Sequence, residues 1–503
     1  MTLQSLWQDR PLEQPGTEGG AHEVAGSWDV IVIGAGVTGL STAVMLGRSG
    51  FSVLVVEARR LASGTTGGST AKLSLLQGTQ FSQIARHHSE ALLSDYARAN
   101  LFAQTWLTDF CTDHGVELQR RAAYTYSTTA SGESAARTEL EHARKAGLAA
   151  TWVDALDLPF PTRGAVQLPD QRQVDPVSLL HALATEATAL GATIVEGARV
   201  HRVHGHAPVT VSTGAGEARA TTVVVATNAP ILDRGGYFAR VTAARSYSVA
   251  FRTTTPRVDA MYLSSDQPSR SLRDATDLDG EPVLLVGGNG HVTGRAASPR
   301  GRLDEIRSWT REMFGDVVET HAWSAQDYVP HHALPYAGPL LPGRGDIVFA
   351  GGYSKWGMTN GVAGAHVLAS SILGSAPTWS RAFATWAPRE LTGLPGATKA
   401  NAEVGLALAT GWVVPMLHAD GTAPAEGEGR VRRAGVRPEA ISTTDGVVRR
   451  VSAVCTHLGG VVAWNDAERS WDCPLHRSRF DTDGAVLEGV ATCGLTRRQP
   501  APD

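Results

Sequence analysis

The sequence predicts a molecule of three parts: an α/β domain around a parallel sheet, an α+β part laid over it, and a small all-β domain at the C-terminal end. Three observations predict it. Apolar runs end in glycine-rich turns that open helices, first at 29–47 and again at 346–372. Strand and helix patterns alternate between 82 and 325, and residues 416–500 hold short strands, turn residues and two Cys/His pairs. Strands alternating with helices build parallel sheets, whereas short strands between turn residues build small all-β domains.

Bulk properties agree. The chain has 503 residues, 42% hydrophobic and 19% charged, enough for several buried cores. A formal net charge of -4, without a long single-sign run, gives no reason to expect nucleic acid or a membrane surface as partner. Residues 1–26 are polar and rich in Gly, Pro and Glu, which predicts a disordered leader. No stretch approaches the roughly 20 apolar residues of a membrane helix, so a cytoplasmic protein without membrane insertion is expected. Four cysteines suit that setting, where grouped cysteines more often bind metal than pair as disulfides.

The α/β domain opens on WDVIVIGAGVTGLSTAVMLGRSGFSVLVVEA, a strand, turn, helix and second strand. Gly34 permits the tight turn, Gly36 lets the backbone approach a pyrophosphate, and Gly39 allows close helix packing. Glu57, ending the second strand, can accept hydrogen bonds from a ribose. This is a Rossmann-like βαβ unit, and its place near the N-terminus favours FAD over NAD. GGNGHVTG at 287–294 lacks the spacing of a second fingerprint and reads as a strand-end loop. The Ser/Thr/Gly-rich loop after Glu57 suits a crossing over the cofactor. Residues 82–147 read as mainly helical, with Cys111 as buried packing. A helix over 176–191, a strand over 221–230 that rejoins the first sheet, and strands over 240–325 with a helix at 302–314 follow. The run DIVFAGG then stops at Gly351-Gly352, and a helix begins near Gly361.

Together, GAGVTG with Glu57, VVVATNAP, and WSAQDYVPHHALPYAGP followed by FAGGYSKWGMTNG resemble the D-amino acid oxidase superfamily. That resemblance implies FAD, a flavin domain with a substrate-covering domain, and oxidation of a carbon–nitrogen bond. It places Gly352, Gly357, Met358 and Thr359 at the flavin. Where relatives with covalent flavin carry a histidine or cysteine, this chain has Gly67-Gly68 and no cysteine, so non-covalent FAD is expected. His331-His332 stand where a different pair is more familiar, and a structural role weighs equally with substrate contact.

The C-terminal signal is Cys455-Thr456-His457, a fifteen-residue spacer, and Cys473-Pro474-Leu475-His476. Two thiolates and two imidazoles suit a tetrahedral zinc ion or a cluster with one iron on each ligand pair. The string from Cys455 to Thr492, including Ser478 and DGAVLEG, resembles a Rieske [2Fe-2S] domain, which implies these four ligands. Where respiratory Rieske domains have a disulfide, this chain has Gly460 and Leu475. Phe480 replaces a tyrosine that donates to a ligand sulfur while Ser478 keeps a hydroxyl, which predicts an intermediate or low potential, partly offset by the positive charge of Arg477 in place of a glycine. Cys493 reads as an ordinary residue.

The expected divisions are a flavin domain over 27–375 with covering parts at about 82–150 and 240–325, a linker over 376–415 whose helical pieces pack across the flavin domain, and the Rieske domain over 416–500. The chain resembles a bacterial group of such fusions over nearly its whole length. The expected reaction dehydrogenates an amine or amino acid and passes electrons through FAD and the cluster to a one-electron acceptor protein, because an oxidase needs no iron. Lys355, Trp356, Tyr247 and Arg245 are the expected substrate contacts, with arginine able to hold a carboxylate. A non-enzymatic redox carrier or sensor, or a reductase or hydroxylase fed by the cluster from a donor protein, are the alternatives.

Overall fold

The computed structural model describes residues 3–9, 23–254, 258–417 and 422–498. Its first sheet has a parallel core in the order Arg344–Gly351, Gly216–Asn228, Ser27–Ile33, Val53–Val56, Thr193–Val195. Val30–Ile33 and Val53–Val56 are buried along their length because both sheet faces are covered. Val30, Val32, Val53 and Val55 enter the core shared with helices Val37–Gly47 and Gly357–Ile372. Their neighbours Ile31, Ile33, Leu54 and Val56 enter a second core on the opposite face. The period of two along each strand thus feeds two cores.

Among the described residues the covering sheet has nine strands, and Val241–Thr253 pairs with Val317–Pro330 along its whole length. It also takes in Lys72–Leu73 and Ala165–Val174, which lie outside the covering parts expected from sequence. Strand Leu118–Tyr126 interrupts the stretch expected to be helical. The glycine-rich 287–294 is not a loop up to Val292. It belongs to strand Pro282–Val292, held between Arg270–Thr276 and Val241–Thr253, and pairing on both sides overrides the poor strand propensity of glycine.

One further expectation changes. Residues 3–9 of the expected leader are ordered: Leu6 and Trp7 are buried, Gln4 pairs with Ala322, and Ser5 and Trp7 donate to the carbonyls of Gly67 and Ser69. Two large apolar side chains in a polar segment supply the burial that fixes it. Positions 10–22 lie outside the described residues. The linker carries the helical pieces expected of it, and they pack on the flavin domain. Trp379 and Phe383 sit in the flavin-domain core, and Leu394–Met416 forms a 23-residue helix. That helix bridges the two halves: Asn401 donates to Ala239, while Trp412 donates to Gly459.

The C-terminal region consists of a three-stranded sheet over 429–452 and a four-stranded one over 463–488. Trp471, Phe480 and Leu475 pack with Cys455 and Cys473 in its core.

Candidate functional site

A cavity of about 650 Å³ lies between the carboxyl ends of the parallel strands and the covering sheet, and a smaller one of about 190 Å³ joins it at Gly36, Thr65 and Thr66. The first turn shapes the junction. Gly34 has φ +105°, and a Cβ on Gly39 would lie 1.9 Å from the Gly34 carbonyl oxygen, so only glycine permits the helix to pack there. Helix Val37–Gly47 has no capping side chain at Gly36, and its Val37 amide donates to Thr66 Oγ1 at 3.3 Å, so the amides that follow face the junction where a ligand phosphate would sit. Glu57 lines the smaller cavity, its two oxygens accepting from the amides of Ala35 and Arg59 at 2.9 Å each.

At the other end, Asp327 holds the turn before helix Gly357–Ile372. Its Oδ1 accepts from Asn228 Nδ2 and the Tyr328 amide, both at 2.7 Å, and its Oδ2 accepts from the Lys355 amide. These bonds fix Lys355 at φ +72°, a conformation most side chains avoid. Lys355 Nζ reaches toward Gly290, where a Cβ would come within 2.5 Å of it. Burial lowers the Lys355 pKa, with Asp327 opposing the shift. Much of the side chain is nevertheless accessible, and that surface borders the cavity. Lys72 also lines the cavity, donating to the Tyr262 carbonyl at 2.8 Å and Ser271 Oγ at 2.6 Å. Burial, aided by Arg273, brings its pKa down to about 7. Arg302 adds a third basic residue to the wall.

The second site lies in two loops of the C-terminal domain. Cys455 accepts Gly459 N and donates to Gly460 O through its backbone, and Cys473 is tied in the same way to Arg477 and Ser478. The loops bring the two thiols into hydrogen-bonding contact and set the rings of His457 and His476 4.9 Å apart. Both Nδ1 atoms are buried without a hydrogen-bond partner among the described residues. The side chains therefore form a sulfur pair and an imidazole pair, and among the described residues no three Cys, His, Asp or Glu converge as a single-ion site.

Comparison with known proteins agrees with both sites. The DAO model, FAD dependent oxidoreductase, matches residues 29–371, and the Rieske [2Fe-2S] domain model matches 414–495. This chain belongs to the DAO family of FAD dependent oxidoreductases. It carries a Rieske domain in addition. A Bacillus subtilis relative, named as the Rieske 2Fe-2S iron-sulfur protein YhfW, is 30% identical over 468 residues, 92% of each chain. The cytochrome b6-f complex iron-sulfur subunit 1 of a Nostoc species is 54% identical over 45 residues, 9% of this chain and 25% of that one. Glycine oxidase from Geobacillus kaustophilus shares the fold at TM-score 0.58 and 18% identity, covering 70% of this chain and 96% of that one. L-proline dehydrogenase from P. horikoshii does so at 0.59 and 17%, covering 71% and 96%.

The DAO-family domain binds FAD and the Rieske domain a [2Fe-2S] cluster, and the residues present fit both. The joined cavities match a dinucleotide with a flavin at the wider end, and among the described residues no His or Cys lines either. The orphaned Nδ1 pair and the adjoining thiols suit two irons. Ser478 bonds to Cys455 and accepts the Ala491 amide at 2.9 Å. A Cβ on Gly460 would lie 2.4 Å from Leu475 Cδ1, so close packing occupies the place of the absent disulfide. Arg477 adopts φ +65° and is buried, with its pKa lowered to about 10 by burial and Arg295.

Among the predicted flavin and substrate residues, Gly36, Lys355, Trp356, Gly357 and Met358 line the main cavity. Gly352 shapes the turn at φ +75°. Thr359 does not face the cavity: it lies in the helix core and accepts from Gln77. Tyr247 borders the cavity but is fully buried in an apolar cluster and stacked on His291, which leaves no side-chain surface for substrate. Arg245 is a clear correction. It pairs with Glu468 at 2.6 Å and Glu488 at 3.0 Å, both in the Rieske domain, because a buried guanidinium requires carboxylates and the docked domain supplies them. Burial alone would raise the Glu468 carboxyl, but Arg245 and Arg479 hold it down at about 2. His331 and His332 line neither cavity; His332 packs against His88 and Tyr336, and burial lowers it to about 3. Cys111 is buried and Cys493 exposed. Lys72 and Asp327 escaped sequence reading, although each is a lone charge in a segment otherwise rich in apolar or hydroxyl side chains.

Proposed function

We propose that this chain dehydrogenates a carbon–nitrogen bond of an amine or amino acid and passes the electrons through FAD and the Rieske cluster to a one-electron acceptor protein. One observation carries the reading: a single strand separates the two sites. On Val317–Pro330, Asp327 borders the flavin cavity, whereas Gln326 donates to the Arg477 carbonyl of the cluster loop at 3.2 Å and to the Tyr328 hydroxyl at 3.1 Å. Bound FAD supplies two-electron oxidation and the cluster supplies one-electron transfer.

The chain's own residues do the rest. Gly34, Gly36, Gly39 and Glu57 hold the dinucleotide, while Gly352, Gly357 and Met358 form the turn against the flavin. Cys455, His457, Cys473 and His476 hold the cluster. FAD is held without a covalent bond, since no side chain of the usual attachment types lines its cavity among the described residues. Lys355, Lys72 and Arg302 give the cavity a cationic wall with Asp327 as counter-charge, which suits a substrate bearing a carboxylate. The names of the similar structures, glycine oxidase and L-proline dehydrogenase, support the amino-acid class.

Anaerobic titration of the purified protein with amino acids, amines and N-methyl compounds tests the reading. Bleaching of the flavin together with a Rieske electron-paramagnetic-resonance signal is the expected result. Bleaching with an oxidised cluster defeats the relay, and no bleaching by any of the three classes defeats the dehydrogenase in favour of a redox carrier or a reductase.

A further inference from the structure

Asp233 belongs to the flavin domain, in the segment between strands Gly216–Asn228 and Val241–Thr253, and it lines neither cofactor cavity. Its Oδ1 stands 2.6 Å from Nε2 of His457 in the Rieske domain. From the same segment, Phe238 sets its ring edge-on to His457 at 5.7 Å and His476 at 4.7 Å. The flavin domain therefore covers the imidazole side of the cluster site, and the His457 side chain is only 4% exposed.

The contact has a direction. A neutral imidazole carries one proton, on one of its two nitrogens. Were the buried, unpartnered Nδ1 of His457 to ligate an iron, the proton would reside on Nε2 and the ring would donate to Asp233. Among the described residues the His476 ring makes no hydrogen bond to a carboxylate, and Asp233 acts on it only through its charge. Two ligands of the same chemical type are thus set in different surroundings, and the difference comes from the other domain.

We propose that Asp233 is a positioning residue for the cluster: it fixes the His457 ring and, by accepting its proton-bearing nitrogen with a full negative charge, lowers the cluster's reduction potential. A carboxylate partner makes a ligating imidazole a stronger electron donor, which favours the oxidised iron. The potential of the cluster is then set partly by docking of the flavin domain. Because Asp233 is 54% exposed, solvent screens its charge and the effect is moderate.

The test is a dithionite titration of the full-length protein, followed by electron paramagnetic resonance, which needs no substrate and does not depend on the proposed reaction. Asp233→Asn keeps the shape and removes the charge. With FAD and iron content unchanged, its cluster midpoint is expected to rise by the equivalent of about a tenfold change in the one-electron equilibrium, about 59 mV. Asp233→Glu is expected to retain the wild-type midpoint. An unchanged midpoint in iron-loaded Asp233→Asn overturns the assignment. Should Asp233→Asn lose its iron, Asp233→Glu decides: full iron at the wild-type midpoint sustains the role, and a displaced midpoint overturns it. Absence of any Rieske signal in the wild type overturns it together with the cluster itself.

Discussion

The flavin cavity and the cluster site are built in opposite ways. The cluster's four candidate ligands fall within Cys455–His476, on two loops of one small domain, each closed by its own backbone hydrogen bonds. The flavin cavity draws on residues from Gly36 to Met358, brought together only when two sheets pack. A site made by local loops tolerates little change at its ligands and much change elsewhere. A site made by packing is sensitive to the contacts that hold the sheets and domains in place.

The largest effect that would break this contrast is at a ligand. Cys473→Ser is expected to abolish the Rieske paramagnetic signal while flavin absorbance remains, since the flavin site uses nothing from that loop. Loss of both cofactors would show that the sites are not separately built. Arg245→Met comes next. It leaves the half-buried Glu468 and Glu488 with Arg479 as their remaining cation, at a cost of about 3 kcal/mol from the lost charged hydrogen bonds. A lower unfolding temperature and faster FAD loss are expected, because Leu487, Glu488 and Gly489 of the Rieske domain also line the smaller cavity. Retention of FAD at the wild-type rate would show that docking does not close that cavity.

Lys72 sharpens the flavin side. With its pKa near 7, it is charged below that pH and neutral above it, so affinity for a carboxylate ligand is fully present at low pH and falls as pH rises through about 7. Lys72→Met should weaken benzoate binding, read from the flavin spectrum, by about 1.5–3 kcal/mol, roughly ten- to a hundredfold, and flatten the pH dependence. The smallest effect is expected at Tyr328→Phe. It removes one neutral hydrogen bond to Gln326, worth about 0.5–1.5 kcal/mol, and should slow cluster reduction after flavin bleaching by less than about tenfold in stopped-flow traces. A larger loss would make the Tyr328 hydroxyl part of the route between the sites.

The same contrast explains what could be read without coordinates. Gly34, Gly36, Gly39 and Glu57 were legible because a dinucleotide turn needs glycine at fixed spacing, and the Cys/His pairs because each loop is short. Arg245 was misread because a lone arginine on a strand looks the same whether it faces a substrate or a carboxylate more than two hundred residues away. Lys72 and Asp327 were passed over because their meaning depends on burial, which no local pattern reports. The leader is misread for a related reason: Trp7 is ordered by a core that other segments build.

By itself, the sequence determined the dinucleotide turn, the two cluster loops and the order of the domains, since backbone geometry and ligand spacing act over a few residues. Only the tertiary structure decided which charges line the cavity, that Asp233 reaches His457, and that the cluster loop lies one strand from the flavin cavity. Those contacts join residues far apart in the chain, and their energy exists only once burial has removed the water between them.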